Sequence, residues 1–311
     1  MNQDFKLLMI GAMYENGGNT THRFLDGHPQ MFVYPFESQL GTKLVSDHLT
    51  SLFPVKYRWP VFPLDATAYD DYKLIIDEEG KVRARTPHVS KFRHMDFDFS
   101  DDERCKIYQK YIAQWGRSRA NNMAAFFKST FDAWKDYNRS GQEIFHVGYS
   151  PVLVVDADKI LRELPSAHFL HVVRNPWSAY ADTKKRPVPL ALPTYILAWN
   201  LNQYFALLFQ KKYPGRMHII RIEDTLQDSY NTLGKFCEKL GLKKTDSLKK
   251  VSWNGQELKE VYPWGTIRQA TPQANVETAL ELSQEEREEI TLLADQYLDV
   301  FNYREFLLVN R

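Results

Sequence analysis

The sequence contains little cysteine and no long apolar segment. Cys105 and Cys237 are the only cysteines among 311 residues, and they lie far apart. This excludes a disulfide-stapled scaffold or a zinc ribbon and favours a reducing compartment. The apolar run at residues 7–10 is too short for the core of a signal peptide, and no stretch approaches the roughly 18 apolar residues of a membrane span. We therefore expect a cytoplasmic protein without a membrane partner.

The sequence also has no large excess of positive or negative charge. The 40 basic residues nearly balance the 39 acidic ones, which gives a net charge of +1. Nothing in this balance favours nucleic acid as a partner, so any anionic ligand must be bound by a local site. Asp, Glu and His do not cluster at the spacing of metal ligands, and we expect no metal cofactor.

The remaining composition is that of a globular protein with a full core, with 43% hydrophobic and 25% charged residues. Aromatic residues reach 14%, which suits a pocket for an organic ligand. Strand-like and helix-like segments alternate, which predicts an α/β fold with a parallel sheet and helices on both faces. We expect a single domain over residues 1–311, with an aromatic, proline-containing insertion at about 54–100.

The patterns also predict individual elements. Strands are expected at 5–12, 31–34, 144–147, 169–173 and 217–224. Helices are expected at 20–27, 39–53, 156–164, 192–212, 229–240 and 283–301, with two more between 101 and 138. Residues 72–86 read as a hairpin that turns at Glu79-Gly80, and 245–280 read as irregular. Ser283 and Glu286 have the spacing of a capping box.

The segment HFLHVVRNPWSAY, residues 168–180, is the most informative stretch. A short buried strand is followed by Arg174, and Pro176 then suits the first position of a helix. An arginine at the carboxyl end of a strand, beside a helix N-terminus, is where α/β folds bind anions.

A second loop, GAMYENGGNTT, joins the first predicted strand to the first predicted helix. Such loops present backbone N–H groups to phosphate-like groups. Gly17 and Gly18 permit close approach, and polar side chains follow them. The loop lacks the Gly-Lys-Ser/Thr triplet of a Walker motif, which argues against a P-loop kinase.

Four segments, in order, resemble the sulfotransferases that use 3′-phosphoadenosine 5′-phosphosulfate (PAPS). They are IGAMYENGGNTTHRFLDGHP, YPFES, DADKILRELPSAHFLHVVRNPWSAY and RIEDTLQDSYNTLGKFCEKLGL. The LDGHP ending is similar to the tyrosyl-protein and carbohydrate branches of that family. The resemblance implies a P-loop-like fold, PAPS as the sulfuryl donor, and transfer to a hydroxyl or amine of a small molecule such as a secondary metabolite, sugar or lipid.

The same resemblance assigns site residues. It places the 3′-phosphate at Arg174, and it places Glu37 on a catalytic glutamate, the general base that takes the acceptor's proton. Candidates for the 5′-phosphosulfate loop are Asn16, Gly17, Gly18, Asn19, Thr20 and Thr21. The alternative role for Glu37 is to cap the helix predicted from residue 39. His28 is a second catalytic candidate, although His-Pro after a helix also suits a structural role, and His94 and His146 are further histidines.

The sequence departs from the family at its basic positions. An ungapped match puts Glu15 on the usual Arg or Lys of the loop, whereas a two-residue shift leaves Gly17 there. Tyr149 stands where the family has a lysine. Asp182 stands where a serine often helps to bind the 3′-phosphate.

We expect the missing positive charge to come from residues 184–186 (Lys-Lys-Arg) or from Arg268 in YPWGTIR. Two other classes of protein stay open. A nucleotide phosphotransferase would bind ATP with magnesium, and a non-catalytic nucleotide-binding protein would bind without turnover. The Glu223-Asp224 pair that ends the last strand is expected to cap the turn that follows it.

Overall fold

A computed structural model describes residues 4–85, 96–258 and 271–307. Its centre is a five-stranded sheet in which every pairing is parallel and the strand order is β2-β3-β1-β4-β5. The strands are β1 (Lys6–Ala12), β2 (Met31–Val33), β3 (Phe145–Pro151), β4 (His168–Val173) and β5 (Met217–Arg221). The predicted parallel α/β fold is confirmed.

The inner strands are apolar because both faces of the sheet are covered, as in parallel sheets generally. All of β1 except Lys6 is buried. Leu7 and Met9 belong to one core cluster, and Leu8 and Ile10 belong to another. Alternate side chains of one strand point to opposite faces, so the sheet separates two cores, each covered by helices.

Helices form most of the rest of the described chain. They are α1 (Gly18–Leu25), α2 (Ala68–Arg85), α3 (Asp101–Trp115), α4 (Arg119–Ala133), α5 (Ala157–Glu163), α6 (Pro176–Lys184), α7 (Leu192–Lys212), α8 (Ile222–Gln227), α9 (Ser229–Lys239), α10 (Pro272–Leu280) and α11 (Gln284–Leu298). A short hairpin, β6 (Ser252–Trp253) and β7 (Gln256–Glu257), follows α9. No helix in the described ranges is long and apolar enough to cross a membrane.

For several predicted elements the structure confirms the position of at least one end. Helix α7 has the predicted bounds, and α6 begins at Pro176 with Asn175 as its N-cap. Ser283 and Glu286 form the predicted capping box of α11. These elements carry strong local signals, either a long apolar periodicity or a recognisable cap.

The hairpin predicted at residues 72–86 is wrong, because residues 72–85 lie in α2. Tyr72 and Ile75 are buried, and Glu79 joins them on the same face of the helix. Glu79 accepts hydrogen bonds from Tyr34 and Arg104, two partners distant in sequence that no local pattern reveals. Tertiary contacts thus override the turn signal of Glu79-Gly80.

The helix predicted at 39–53 is also wrong, because this segment consists of turns and bends. The buried Arg58 holds it in place by pairing with Asp47 and with Asp156 at the start of α5. The stretch 245–280, predicted as irregular, contains the β6–β7 hairpin and α10 in its described parts. The single-domain organisation and the insertion boundaries stay predictions.

Candidate functional site

Three strands end together at one edge of the sheet, which we call the carboxyl edge. Ala12, the last residue of β1, pairs with Pro151 of β3 and with Val172 of β4. The loop between β1 and α1 therefore lies next to Arg174, which directly follows β4.

The N-terminus of α1 is open at this edge. Gly17 precedes the helix with φ of +83°, a left-handed conformation that favours glycine. The first helical hydrogen bond runs from the Thr21 amide to the Gly17 carbonyl at 2.9 Å, so the amides of Gly18 and Asn19 have no acceptor within the helix. The N-cap residue Gly17 has no side chain to cap α1, whereas Ser283 caps α11. The uncapped amides make this end of α1 suited to an anion.

The two glycines of the loop are also needed for packing. A Cβ atom at Gly17 would lie 2.4 Å from Cγ1 of Ile222, and one at Gly18 would lie 2.4 Å from Cε2 of Tyr149. Larger residues at either position would displace α8 or the Tyr149 ring. A larger side chain at Gly17 or Gly18 is therefore expected to disturb the packing of the loop, in addition to any loss of ligand contact.

Asn16 orders the loop. Its Nδ2 group donates to the Tyr14 carbonyl at 2.8 Å and to the Tyr195 hydroxyl at 3.1 Å. Its Oδ1 atom accepts from the Arg174 amide and from the Trp199 indole, both at 3.1 Å. The amide side chain is thus fully used within the protein. These four hydrogen bonds fix the backbone of the loop.

The polar residues after the glycines differ in their surroundings. Thr20 and Thr21 are buried, while Asn19 is partly exposed. The buried Thr21 hydroxyl has no hydrogen-bond partner in the described part of the chain. Buried hydroxyls are usually paired, so the Thr21 hydroxyl is exceptional in having no acceptor or donor among these residues.

Arg174 is buried and held on two sides. Its Nε donates to Oδ1 of Asn275 at 2.6 Å, and its Nη1 donates to the Glu15 carbonyl at 2.9 Å and to Oδ2 of Asp182 at 2.8 Å. Among the residues that the structure describes, none accepts a hydrogen bond from Nη2. The guanidinium is therefore oriented by protein contacts and leaves one edge for a ligand.

The positive charge of Arg174 is locally balanced. Asp182 is 1% exposed, and its Oδ1 lies 3.2 Å from Nζ of Lys185. Lys185 in turn lies 2.7 Å from a carboxylate oxygen of Glu281. The side chains of Arg174, Asp182, Lys185 and Glu281 thus form a continuous ion-pair network of two cations and two carboxylates.

A cation from just beyond α6 contacts the loop. Glu15 adopts φ of +59°, and burial raises the pKa of its carboxyl while Arg186 opposes that rise. Nε of Arg186 lies 3.3 Å from Oε1 of Glu15, and its guanidinium lies 5.1 Å from the centre of the Tyr14 ring. Of the basic run at 184–186, Arg186 is the residue that reaches the loop, since Lys184 pairs with Glu286 at the surface.

Glu37 lies beside three tyrosines. The amide of the next residue, Ser38, donates to the Tyr149 carbonyl at 2.6 Å, which continues the path of β2 along β3. Burial is the main cause that raises the pKa of Tyr14, Tyr57 and Tyr149. The negative charge of Glu37 is a smaller cause in the same direction. No helix begins after Glu37 in the described residues 38–53, so the alternative role as a helix cap is not supported.

The structure does not bring His28 to this edge. Its Nδ1 accepts from the Gln30 amide at 3.1 Å, and its Nε2 contacts the Lys243 carbonyl at 2.9 Å. His28 lies between the end of α1 and the start of β2. In a parallel sheet this is the side where the strands begin, opposite to the carboxyl edge. His146 is enclosed by aromatic rings, and burial lowers its pKa to about 3. His94 and Arg268 lie outside the described residues.

Sequence reasoning missed two residues of the site. Asn275 of α10 accepts from Arg174, but it falls in the region predicted as irregular. Glu223 was expected to cap a turn, yet its carboxylate accepts from the amide and side chain of Asn175, from Asn275 and from the Tyr303 hydroxyl. Each contact is distant in sequence, so no local pattern could identify it.

These features define a class of protein. A parallel sheet with a helix N-terminus and a buried arginine at the carboxyl ends of its strands is the arrangement with which α/β folds bind anionic ligands. No group of three or more metal-binding side chains is found in the described ranges.

The family follows from the sequence match. Residues 9–246 match the sulfotransferase family, so the chain belongs to that family. The protein is a sulfotransferase with a P-loop-like fold, and the predicted family is confirmed. Sulfotransferases generally use PAPS.

Solved sulfotransferase structures are similar to this chain. The sulfotransferase domain of the Synechococcus PCC 7002 olefin synthase is 14% identical, with a TM-score of 0.48 and coverage of 96% of this chain and 96% of that domain. A sulfotransferase from Alicyclobacillus acidocaldarius is 14% identical, with a TM-score of 0.43 and coverage of 96% and 94%. Retinol dehydratase, solved with androsterone and the inactive cofactor PAP, is 9% identical, with a TM-score of 0.39 and coverage of 94% and 80%. No curated protein matches the sequence significantly.

Proposed function

We propose that this sulfotransferase transfers the sulfuryl group of PAPS to a hydroxyl or amine of a small molecule at the carboxyl edge. The observation that carries the proposal is the pairing of an uncapped α1 N-terminus with Arg174, whose amide is bound to the loop through Asn16. PAPS, when bound, supplies the sulfuryl group and a nucleotide leaving group.

The residues present fit such a donor in three respects. The amides of Gly18 and Asn19 have no helical acceptor, the buried Thr21 hydroxyl lacks a partner among the described residues, and Nη2 of Arg174 is open. The carboxylates of Glu15 and Asp182 oppose an anion, but each contacts a cation of the same chain, Arg186 and Arg174 respectively. This pairing of cations with carboxylates supports a nucleotide site that carries less net positive charge than the family pattern implies.

The proposed roles follow from these contacts. The α1 amides and Thr21 bind the 5′-phosphosulfate end, and Arg186 supplies the positive charge that the loop itself lacks. Arg174 binds the 3′-phosphate through its open edge. Sulfuryl transfer, like phosphoryl transfer, depends mainly on positioning and electrostatics, so a rigid set of donors is the main requirement.

Glu37 is the proposed general base. A carboxylate oxygen of Glu37 accepts the proton of the attacking hydroxyl or amine. Burial raises the pKa of Tyr149 well above its usual value, so its phenol stays protonated and can donate a hydrogen bond beside the base.

The acceptor is a small hydroxylated or amino molecule. Tyr14 and Tyr57 pack edge-to-face at 6.1 Å between ring centres, and both are almost fully buried. The hydroxyls of Tyr14, Tyr57 and Tyr149 make no hydrogen bond to another described residue, so they are available to a polar ligand. Aromatic faces with free phenols beside a carboxylate suit a compact polar molecule with an apolar ring or chain.

Two assays test the proposal. The protein is titrated calorimetrically with adenosine 3′,5′-bisphosphate and with ATP plus magnesium, and acceptor mixtures with PAPS are then analysed by mass spectrometry. We expect the bisphosphate to bind and at least one acceptor to gain the mass of one sulfuryl group. Phosphoryl transfer from ATP would contradict the proposal, as would failure to bind the bisphosphate.

A further inference from the structure

The buried carboxylate of Asp182 is in direct contact with the arginine proposed to bind the nucleotide. Oδ2 of Asp182 lies 2.8 Å from Nη1 of Arg174, and both residues are more than nine-tenths buried. Asp182 lies on α6, two turns beyond Arg174, so the helix itself delivers the carboxylate to this position.

A carboxylate and an arginine prefer different ligands. In nucleotide sites an acidic side chain accepts hydrogen bonds from ribose hydroxyls, whereas an arginine accommodates a phosphate on the same sugar. Each oxygen of Asp182 already contacts one cation, Arg174 or Lys185, and each carboxylate oxygen can accept a further hydrogen bond. A ribose hydroxyl could therefore donate to Asp182, whereas a phosphate dianion bound at Nη2 of Arg174 would lie near a like charge.

We propose that Asp182 relaxes the requirement for a 3′-phosphate, so that the enzyme also binds and uses adenosine 5′-phosphosulfate, whose ribose bears a free 3′-hydroxyl. The inference rests on the proposed function, because it assumes that the nucleotide occupies the carboxyl edge. Arg174 binds the 3′-phosphate of PAPS, and Asp182 binds the 3′-hydroxyl of the shorter donor.

The chemical step is the same for either donor. The acceptor oxygen or nitrogen forms a bond to sulfur while the bond between sulfur and the bridging phosphate oxygen breaks. Glu37 takes the acceptor's proton, and adenosine 5′-phosphate leaves in place of the bisphosphate. No additional co-reactant is needed.

Calorimetric titration of four proteins tests this inference. Wild type, Asp182→Asn, Asp182→Ser and Asp224→Asn are each titrated with adenosine 3′,5′-bisphosphate and with adenosine 5′-phosphate. Asp224→Asn is the matched control, because it removes the same charge from an exposed residue of α8 that pairs with Arg221 at the end of β5. Asp182→Ser provides an independent variant should the asparagine variant fold poorly.

We expect wild type to bind the two nucleotides within about tenfold of each other. Both Asp182 variants should bind the bisphosphate about 10- to 100-fold more tightly, with adenosine 5′-phosphate binding unchanged or weaker, because the like charge is removed. The control should behave as wild type. Mass spectrometry should also detect transfer from adenosine 5′-phosphosulfate by wild type.

Two results would overturn the inference while leaving the proposed function standing. One is a wild-type preference for the bisphosphate of about 1000-fold or more, and the other is an unchanged preference in a folded Asp182 variant. Failure of all four proteins to bind either nucleotide would instead refute the proposed function itself.

Discussion

Glu15 and Asp182 put negative charge at positions where the sequence resemblance leads us to expect a cation and a serine. Each lies against a cation: Glu15 contacts Arg186, and Asp182 contacts Arg174 and Lys185. The cations next to these two carboxylates come from the segment after β4 and from the end of α6, and none comes from the loop itself. The sequence suggested residues 184–186 as the source of the missing positive charge, but only the fold shows which side chain reaches the loop.

Loss of Arg186 should weaken nucleotide binding. Arg186→Met removes the cation at the loop and leaves the Glu15 carboxylate unopposed, so we expect about 10- to 100-fold weaker binding of adenosine 3′,5′-bisphosphate in calorimetry. Lys184→Met, which breaks a surface pair with Glu286, is the matched control. Adding Glu15→Gln to Arg186→Met should restore part of the affinity, and wild-type affinity in Arg186→Met would show that this cation has no role.

Glu37→Gln should slow catalysis without affecting nucleotide binding. Glutamine retains the shape of the side chain but cannot accept the proton, and loss of a general base typically costs about 10²- to 10⁴-fold in rate. Transfer rate, bisphosphate affinity and melting temperature are measured together. Glu257→Gln, an exposed residue paired with Lys250, serves as control. A rate within a few-fold of wild type at saturating acceptor would exclude Glu37 as the base.

The contacts of single residues could be predicted only where they are local. Asn16 belongs to the predicted ligand loop, yet its amide binds Tyr14, Tyr195, Arg174 and Trp199. Asn275 has no signal in the sequence, because its role depends on where α10 packs. Residue types and strand ends locate a candidate site, whereas the direction of each side chain requires the tertiary structure.

At the level of elements, local signals succeeded for α6, α7 and α11, where proline, periodicity and a capping box mark the bounds. They failed for α2, whose Glu-Glu-Gly segment suggests a turn. The helix is stabilised instead by a buried cluster in which Arg104 contacts Glu79, Asp101 and the Tyr72 hydroxyl. Such a cluster joins α2 to α3 and is invisible to a pattern read along the chain.

Neighbouring glutamates in α2 should differ sharply in their effect on stability. Glu79→Gln removes a charge that faces the fully buried Arg104, and breaking a buried pair should lower the free energy of unfolding by roughly 3 kcal/mol. Glu78→Gln breaks a partly exposed pair with Lys81 and should cost less than about 1 kcal/mol. Urea unfolding of the two variants provides the comparison. Equal effects would contradict the role assigned to the buried cluster.

Across the whole molecule, buried histidines link stability to pH. Burial lowers the pKa of His146 to about 3 and that of His171 to about 4, while the unfolded chain titrates near its ordinary value of about 6.5. Below pH 6.5 the unfolded state binds protons that the folded state does not, so stability falls as pH decreases. At pH 7 both states are neutral at these residues and the penalty disappears.

Unfolding in urea at pH 7 and at pH 5 tests this linkage. Each of the two buried histidines should reduce the free energy of unfolding by about 2 kcal/mol between these conditions. His146→Phe, which fits a pocket of Phe5, Phe32 and Phe131 rings, should reduce the pH dependence. The exposed His48→Gln should not. An unchanged pH dependence in His146→Phe would contradict the assignment.

The central claim is that the open α1 N-terminus and Arg174 form the donor nucleotide site. Its most direct test is the dissociation constant of adenosine 3′,5′-bisphosphate for wild type and for Arg174→Lys, which keeps the charge facing Asp182 but loses the guanidinium fork. We predict saturable binding by wild type and about 10- to 100-fold weaker binding by the variant. Equal affinity of the two proteins, or no binding by wild type, would contradict the claim.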